Sequence, residues 1–319
     1  MVKSVPGGTR TVKAYHGSTE RIARDPEVDM VAVAVRTPAH VDVSFANFQG
    51  EGKDLFVEWP VGSGLGATRK IVEVVRKSGV KTLVGCQTRQ AGYVRKVKEI
   101  VDSGILGRIL ATSVIVSSYY PGVRGPTTFT QVSYAMDAAN GATMLDIDGG
   151  HLIDVLQYLF GDIAFVNAHV ATQYSTVQPI DYTTGKPAGE PIPQSDTHQV
   201  VLGISDATVL SVNIRNVLTE HGAGMFWVID GEKGTLKIVA DGMKGPSFLL
   251  AQPEVWVNGE KFDVEEDGEK ERIAKNWERF ADGKEGEYAT VEDALKVKKV
   301  IEAVFVSGRE GRRVSVEEV

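Results

Sequence analysis

The chain has 319 residues, 42% of them hydrophobic, with 34 glycines, 12 prolines and a single cysteine. At ~100–200 residues per domain this length accommodates two domains that bury their own cores, and the lone Cys86 excludes an intrachain disulfide. Lysine and arginine total 35 against 42 aspartate and glutamate, and the resulting net charge of −7 argues against a nucleic-acid backbone as partner.

Met1 to Tyr15 carries no apolar signal core, and no stretch reaches the ~18 apolar residues of a membrane helix, so the expected location is the cytoplasm. From there to about residue 107 short β-branched runs alternate with helical patterns, the signature of a parallel sheet with crossover helices. Strands are expected at Val28 to Val35, Leu55 to Trp59 and Val80 to Gly85. The helix Ala67 to Ser78 turns Ile71, Val74, Val75 and Ser78 to one face; Gln90 to Ser103 turns Val94, Val97, Ile100 and Val101 inward, with Gly104 as its terminator. Beyond Gly107 longer alternating runs follow: Ile109 to Tyr119, Ile163 to Tyr174, His198 to Ile204, Val209 to Arg215, Met225 to Ile229 and Thr235 to Val239. Joined by short turns, they read as an antiparallel sheet. A helix runs from near Gly149 to Phe160 and another from Val291 to Val306. Val177 to Pro193, with four prolines and two glycines, reads as an irregular excursion. The predicted domains are 1–108 and 109–319.

Gly62 to Ala67 matches G-x-G-x-x-G/A between a strand and a helix, a weak phosphate-loop signal that also suits a plain helix start. Asp146, Asp148, His151 and Asp154 form the densest ionisable cluster. Asp148 is placed to cap the helix near Gly149, and His151 shares a face with Asp154. A histidine beside a carboxylate suits acid–base catalysis, and a helix cap with a buried histidine is the equal alternative. Glu58-Trp59-Pro60 ends a strand whose carboxyl end faces a ligand crevice, where Trp59 has the surface to stack on a ligand or fill the junction. Tyr119, Tyr120 and Arg124 follow the first long strand of the second domain. Cys86 reads as inert core. No metal site is indicated.

Val28-Asp29-Met30-Val31-Ala32-Val33, Thr37-Pro38-Ala39-His40, Phe56-Val57-Glu58-Trp59-Pro60, Gly85 to Arg89, Asp102-Ser103-Gly104-Ile105-Leu106-Gly107 and Gly150-His151-Leu152-Ile153-Asp154, in this order, resemble the glucose-fructose oxidoreductase, inositol dehydrogenase and MocA family over residues 14–310. The resemblance implies an α/β plus α+β architecture: a Rossmann-like parallel domain, then an open antiparallel sheet with helices on one face. It implies NAD or NADP near Thr37, Pro38, His40, Glu58, Trp59, Pro60 and Gln87. It implies a small-molecule substrate near Trp59, Arg89, Tyr119, Tyr120, Arg124 and Asp154, with His151 and Asp148 as catalytic candidates. The family lysine of Glu-Lys-Pro falls on Trp59, and the family aspartate four residues before the histidine falls on Ile147. Glu-Trp-Pro and the Gly-His-x-x-Asp-x-Leu-Gln-Tyr run are similar to the fungal galactose-regulon repressor branch.

Only thirteen residues precede Ala14-Tyr15-His16. A βαβ unit needs ~30, so the expectation is a Rossmann domain without its opening Gly-rich unit, with Val28 to Val35 left as an edge that invites a homo-oligomer there or through the second sheet. Three functions follow. One is an oxidoreductase-like protein binding a small organic molecule at the domain junction, with conventional alcohol dehydrogenation disfavoured. The second is a cofactor-independent isomerase, lyase or cyclase using His151. The third is a repressor-like sensor or scaffold without catalysis.

Overall fold

The computed structural model describes residues 13–47, 52–195, 199–205, 208–242 and 247–319. Near the amino end, strands β1 (Met30–Val33), β2 (Asp54–Val57) and β3 (Thr82–Val84) form a three-stranded parallel sheet in that order, with Val31 opposite Leu55 and Leu55 opposite Thr82. β2 and β3 are buried on both faces, as parallel strands between helices require, whereas Ala32 of β1 is exposed. Among the described residues β1 is an edge of this sheet.

Helices α1 (Glu20–Ala23), α2 (His40–Asn47), α3 (Leu65–Ser78) and α4 (Gly92–Asp102) accompany these strands. In α3 the buried face is Thr68, Ile71, Val72 and Val75; Ser78, expected inward, is exposed and Val72 takes its place on the 3.6-residue stripe. The expected start of α4 at Gln90 moves to Gly92, because Gln87–Gln90 winds as a tighter 3₁₀ turn. Gly104 follows α4 in the left-handed conformation, at φ 70°.

The second layer opens with β4 (Ile109–Tyr119) and β5 (Thr127–Phe129), followed by α5 (Gly150–Phe160), β6 (Phe165–Ala171), β7 (Thr176–Ile180), β8 (Ile192–Pro193), β9 (Gln199–Ser205) and β10 (Val209–Val217). Then come β11 (Gly224–Gly231), β12 (Thr235–Asp241), β13 (Glu254–Val257), β14 (Glu260–Phe262), α6 (Glu269–Ala281), α7 (Val291–Glu310) and β15 (Val314–Ser315). Nine strands order as β14-β13-β12-β11-β4-β10-β9-β6-β15. The sheet is antiparallel except where β4 and β10 run parallel, Val114 facing Val212, which corrects the expectation of a purely antiparallel sheet. Val177 to Pro193, expected to be irregular, supplies β7 and β8 of a small separate sheet with β5.

α5 and α7 cover the inner face of the large sheet, and one continuous core joins Val114, Val212, Ile214, Trp227 and Ile229 to Leu55, Val57 and Val84 of the first sheet. The sequence reading missed α6, which returns to the first layer. Trp277 stacks on Phe56 with ring centres 4.8 Å apart, and Asn276 Nδ2 donates to the Val84 carbonyl at 3.1 Å. The Val84 amide in turn donates to the Ala289 carbonyl at 2.8 Å, so the chain just before α7 lies along β3. Thus α5 and α7 are held against the carboxyl ends of the parallel strands.

Candidate functional site

The loops after β1, β2 and β3 meet α5 at this junction, the place where open parallel sheets present ligand sites. After β1, Thr37–Ala39 forms one 3₁₀ turn in which Thr37 is buried and Pro38 exposed. His40 is buried with Nε2 2.8 Å from the Val35 carbonyl and Nδ1 3.3 Å from the Val61 carbonyl. It therefore staples two strand-end loops together, and both ring nitrogens face protein carbonyls.

After β2, Glu58 is half-buried, and burial raises its carboxyl above the usual range. The Trp59–Pro60 peptide is cis. Trp59 is 8% exposed, and its Nε1–H donates to the Asp146 carbonyl at 2.8 Å. The indole lies so close to α5 that a Cβ on Gly150 would stand 2.3 Å from its Cζ2, so only glycine allows this packing. His151 meets the same indole edge-on at 6.2 Å between ring centres.

The expected cap at Asp148 is corrected by a π-turn, Leu145–Gly149, that runs into α5 without a break. Asp148 instead accepts the Tyr120 hydroxyl at 3.0 Å, and burial together with this carboxylate pushes the Tyr120 phenol well above its ordinary range. A π-turn accommodates one more residue than an α-turn. Counting four residues back from His151 lands on Ile147, which packs beside Ala135 and Met136, whereas the carboxylate brought to the junction is Asp146.

His151 is 4% exposed, and burial pushes its imidazole down to about 4, so it is neutral at pH 7. The Thr88 hydroxyl lies 3.5 Å from its Nδ1. The shared face with Asp154 produces no contact, because Asp154 is committed to Arg89: Nε to Oδ2 at 2.8 Å and Nη2 to Oδ1 at 2.6 Å. Arg89 also donates to the Tyr288 carbonyl at 3.2 Å, approaches Asp293 at 3.7 Å and lies over the Tyr158 ring. This pair bolts the 3₁₀ turn after β3 to α5 and to the chain before α7. It occupies the groups expected to touch substrate. Arg124 is likewise buried and donates to the Ala142 carbonyl at 3.3 Å. Tyr119 and Gln87 are half-buried at the ends of β4 and β3.

The sequence reading missed Lys298 of α7. Its side chain is 1% exposed, and Nζ donates to Asp146 Oδ1 at 2.6 Å and lies 5.5 Å from the centre of the Trp59 ring. Asp146 Oδ2 accepts the Thr143 hydroxyl at 2.7 Å. Lys298 falls on the apolar stripe Ala294, Ile301, Phe305 of α7, and a lysine on that stripe is the signal that pointed to it.

The junction brings together His151, Trp59 and Thr88, with Tyr120 and Asp148 joined beside α5. A nicotinamide dinucleotide would lie along the strand ends. Among the described residues the loops at Thr37, Glu58 and Gln87 are in place for it, but His40 and Arg89 are spent on protein partners, and the Gly-rich turn at residues 62–67 only opens α3. The described residues thus fit the strand-end half of that group and contain no cradle for its phosphates.

A family model described as an oxidoreductase family with an NAD-binding Rossmann fold matches residues 9–86, and one described as the Gal80p C-terminal domain matches residues 92–240. A dehydrogenase, aclE, of Aspergillus oryzae is 34% identical over 254 residues, covering 77% of this chain and 65% of the relative. The galactose/lactose metabolism regulatory protein GAL80 of Saccharomyces cerevisiae is 25% identical over 236 residues, 70% of this chain and 53% of the relative. The chain therefore spans roughly half to two thirds of these relatives. Among solved structures, a super-repressor mutant of Gal80p from Saccharomyces cerevisiae aligns with TM-score 0.82 at 20% identity over 94% of this chain and 83% of that one. Levoglucosan dehydrogenase in complex with NADH and L-sorbose aligns with TM-score 0.74 at 18% identity over 94% and 82%.

Proposed function

The chain belongs to the oxidoreductase family with the NAD-binding Rossmann fold, with a second domain of the Gal80p type, and from that membership we propose that it binds a small organic molecule at the domain junction without conventional alcohol dehydrogenation. The carrying observation is Trp59. Its indole packs against His151 where an alcohol dehydrogenase needs a cation to steady the developing alkoxide, and the buried ammonium of Lys298 is given to Asp146. A bound dinucleotide would supply hydride chemistry. The protein's own part at this wall is an apolar indole, a neutral imidazole able to accept a proton, and the Thr88 hydroxyl beside it. The Gal80p-type domain supports a sensing role, in which occupancy rather than turnover is read out.

Calorimetric titration with NADH and NADPH, followed by a nicotinamide-reduction assay over a panel of secondary alcohols, tests this reading. Saturable binding with no alcohol-dependent reduction is expected. Alcohol-dependent reduction that His151→Ala abolishes would overturn it in favour of a dehydrogenase, the reading that the Aspergillus oryzae relative favours.

A further inference from the structure

A cavity of about 290 Å³ lies where the start of α3 faces α7, and His151 and Trp59 are not among its lining residues. Its apolar wall is Leu65, Ile301 and Phe305. Its polar wall holds the Lys298–Asp146 pair, with Glu302 and Arg309 also lining it. An ammonium carries three donors. At 1% exposure Lys298 makes one hydrogen bond among the described residues, to Asp146, and its ammonium lies 5.5 Å from the centre of the Trp59 ring. A buried ion pair is a poor stabiliser, since apolar residues of similar volume hold a core as well or better. A pair of this kind in a cavity wall, with donors to spare on a flexible four-carbon stem, is better suited to a ligand than to packing.

We propose that this cavity is a second ligand site, distinct from the His151 wall, for a small monocarboxylate with an apolar body. The carboxylate accepts from the spare donors of Lys298 with Arg309 at the rim, and the body rests on Leu65, Ile301 and Phe305. The α3 amino terminus, capped by Gly64 with no side-chain hydrogen bond, adds favourable polarity at the same end. Glu302 sets the charge limit, because a dianion would meet its carboxylate as well as that of Asp146.

The test is calorimetric titration of the full chain with 3-phenylpropionate, and with 3-phenylpropanol as its uncharged counterpart. The acid should bind at least tenfold more tightly than the alcohol. Arg309→Ala, an exposed change that leaves the core intact, should weaken it several-fold, while Glu302→Gln should tighten it, and these opposite signs cannot come from a folding defect. Lys298→Met, confirmed folded by circular dichroism, should reduce acid binding to the level of the alcohol. Equal binding of acid and alcohol, or acid binding unmoved by Lys298→Met, overturns the proposal. Neither result bears on nucleotide binding at the strand ends.

Discussion

Two of the buried ion pairs lie where α5 and α7 meet the parallel strands, and they are built on different terms. Arg89 and Asp154 form a bidentate fork, and Arg89 also donates to the Tyr288 carbonyl, stands 3.7 Å from Asp293 and lies over the Tyr158 ring. Lys298 and Asp146 meet through one hydrogen bond beside a cavity. The first pair is held by two hydrogen bonds, with a third from Arg89 to a carbonyl, and reads as architecture, joining the turn after β3 to α5. The second leaves donor capacity unspent where a ligand has room. Burial alone does not separate structural from functional charge; here a two-bond fork set among protein partners stands against a single bond in the wall of a cavity.

The sharpest way to break this comparison is to cut the bidentate pair. Arg89→Ala strands Asp154 in a dry setting, and the expected loss is about 3–5 kcal/mol in chemical denaturation. The double variant Arg89→Met with Asp154→Leu should recover most of it. If the single change costs under about 1 kcal/mol, the fork is not holding the junction.

His151 contributes next, as the titrating group at the junction that is neither charged nor paired with a carboxylate. Its ordinary value is 6.5 and burial holds it at about 4, so between these values the unfolded chain binds the proton and the folded one does not. Stability is therefore present above pH 6.5 and lost as the pH falls toward 4, by about 3 kcal/mol at ~1.4 kcal/mol per unit. Denaturation midpoints across this range should fall less steeply in His151→Gln than in the parent. An unchanged slope would place His151 in water.

Lys298→Met should cost less than Arg89→Ala, about 2 kcal/mol, because Asp146 keeps both Thr143 contacts and the adjoining cavity admits water to its carboxylate. A loss equal to that of Arg89→Ala would erase the distinction between the pairs.

Much of this arrangement was visible in the sequence, and the failures share physical causes. Runs such as Asp54–Val57 and Thr82–Val84 show as strands because parallel strands are apolar on both faces. Strand direction leaves no trace in a two-residue period, so the parallel β4–β10 pair was invisible. Helix α6 escaped because its fully buried positions are Arg272 and Asn276, which hide polar groups by hydrogen bonding them. At the candidate site, strand-end position and chemistry singled out Trp59 and His151, whose rings the structure brings within 6.2 Å of each other. The substrate roles expected of Arg89 and Asp154 went instead to their mutual pairing, since spacing along a chain does not say which carboxylate an arginine will meet. The π-turn leaves Ile147 packed beside Ala135 and Met136 and brings Asp146 to Lys298, a placement no hydrophobic pattern records.

The smallest test bears on the helix that serves both pairs. α7 begins with a capping box in which Thr290 N and Oγ1 both donate to Asp293 Oδ2, at 2.8 and 2.9 Å, while the Asp293 amide donates back to the threonine hydroxyl. Asp293 also stands 3.7 Å from Arg89, and Lys298 follows little more than one turn later. Thr290→Ala removes the hydroxyl and should cost about 1 kcal/mol in denaturation. The loss is limited because the Asp293 carboxylate, released from the hydroxyl, gains freedom to turn toward Arg89. A cost as large as that of Lys298→Met would mean that the helix start holds α7 against the junction more than its buried lysine does. That outcome would recast the Lys298–Asp146 pair as a consequence of where α7 lies.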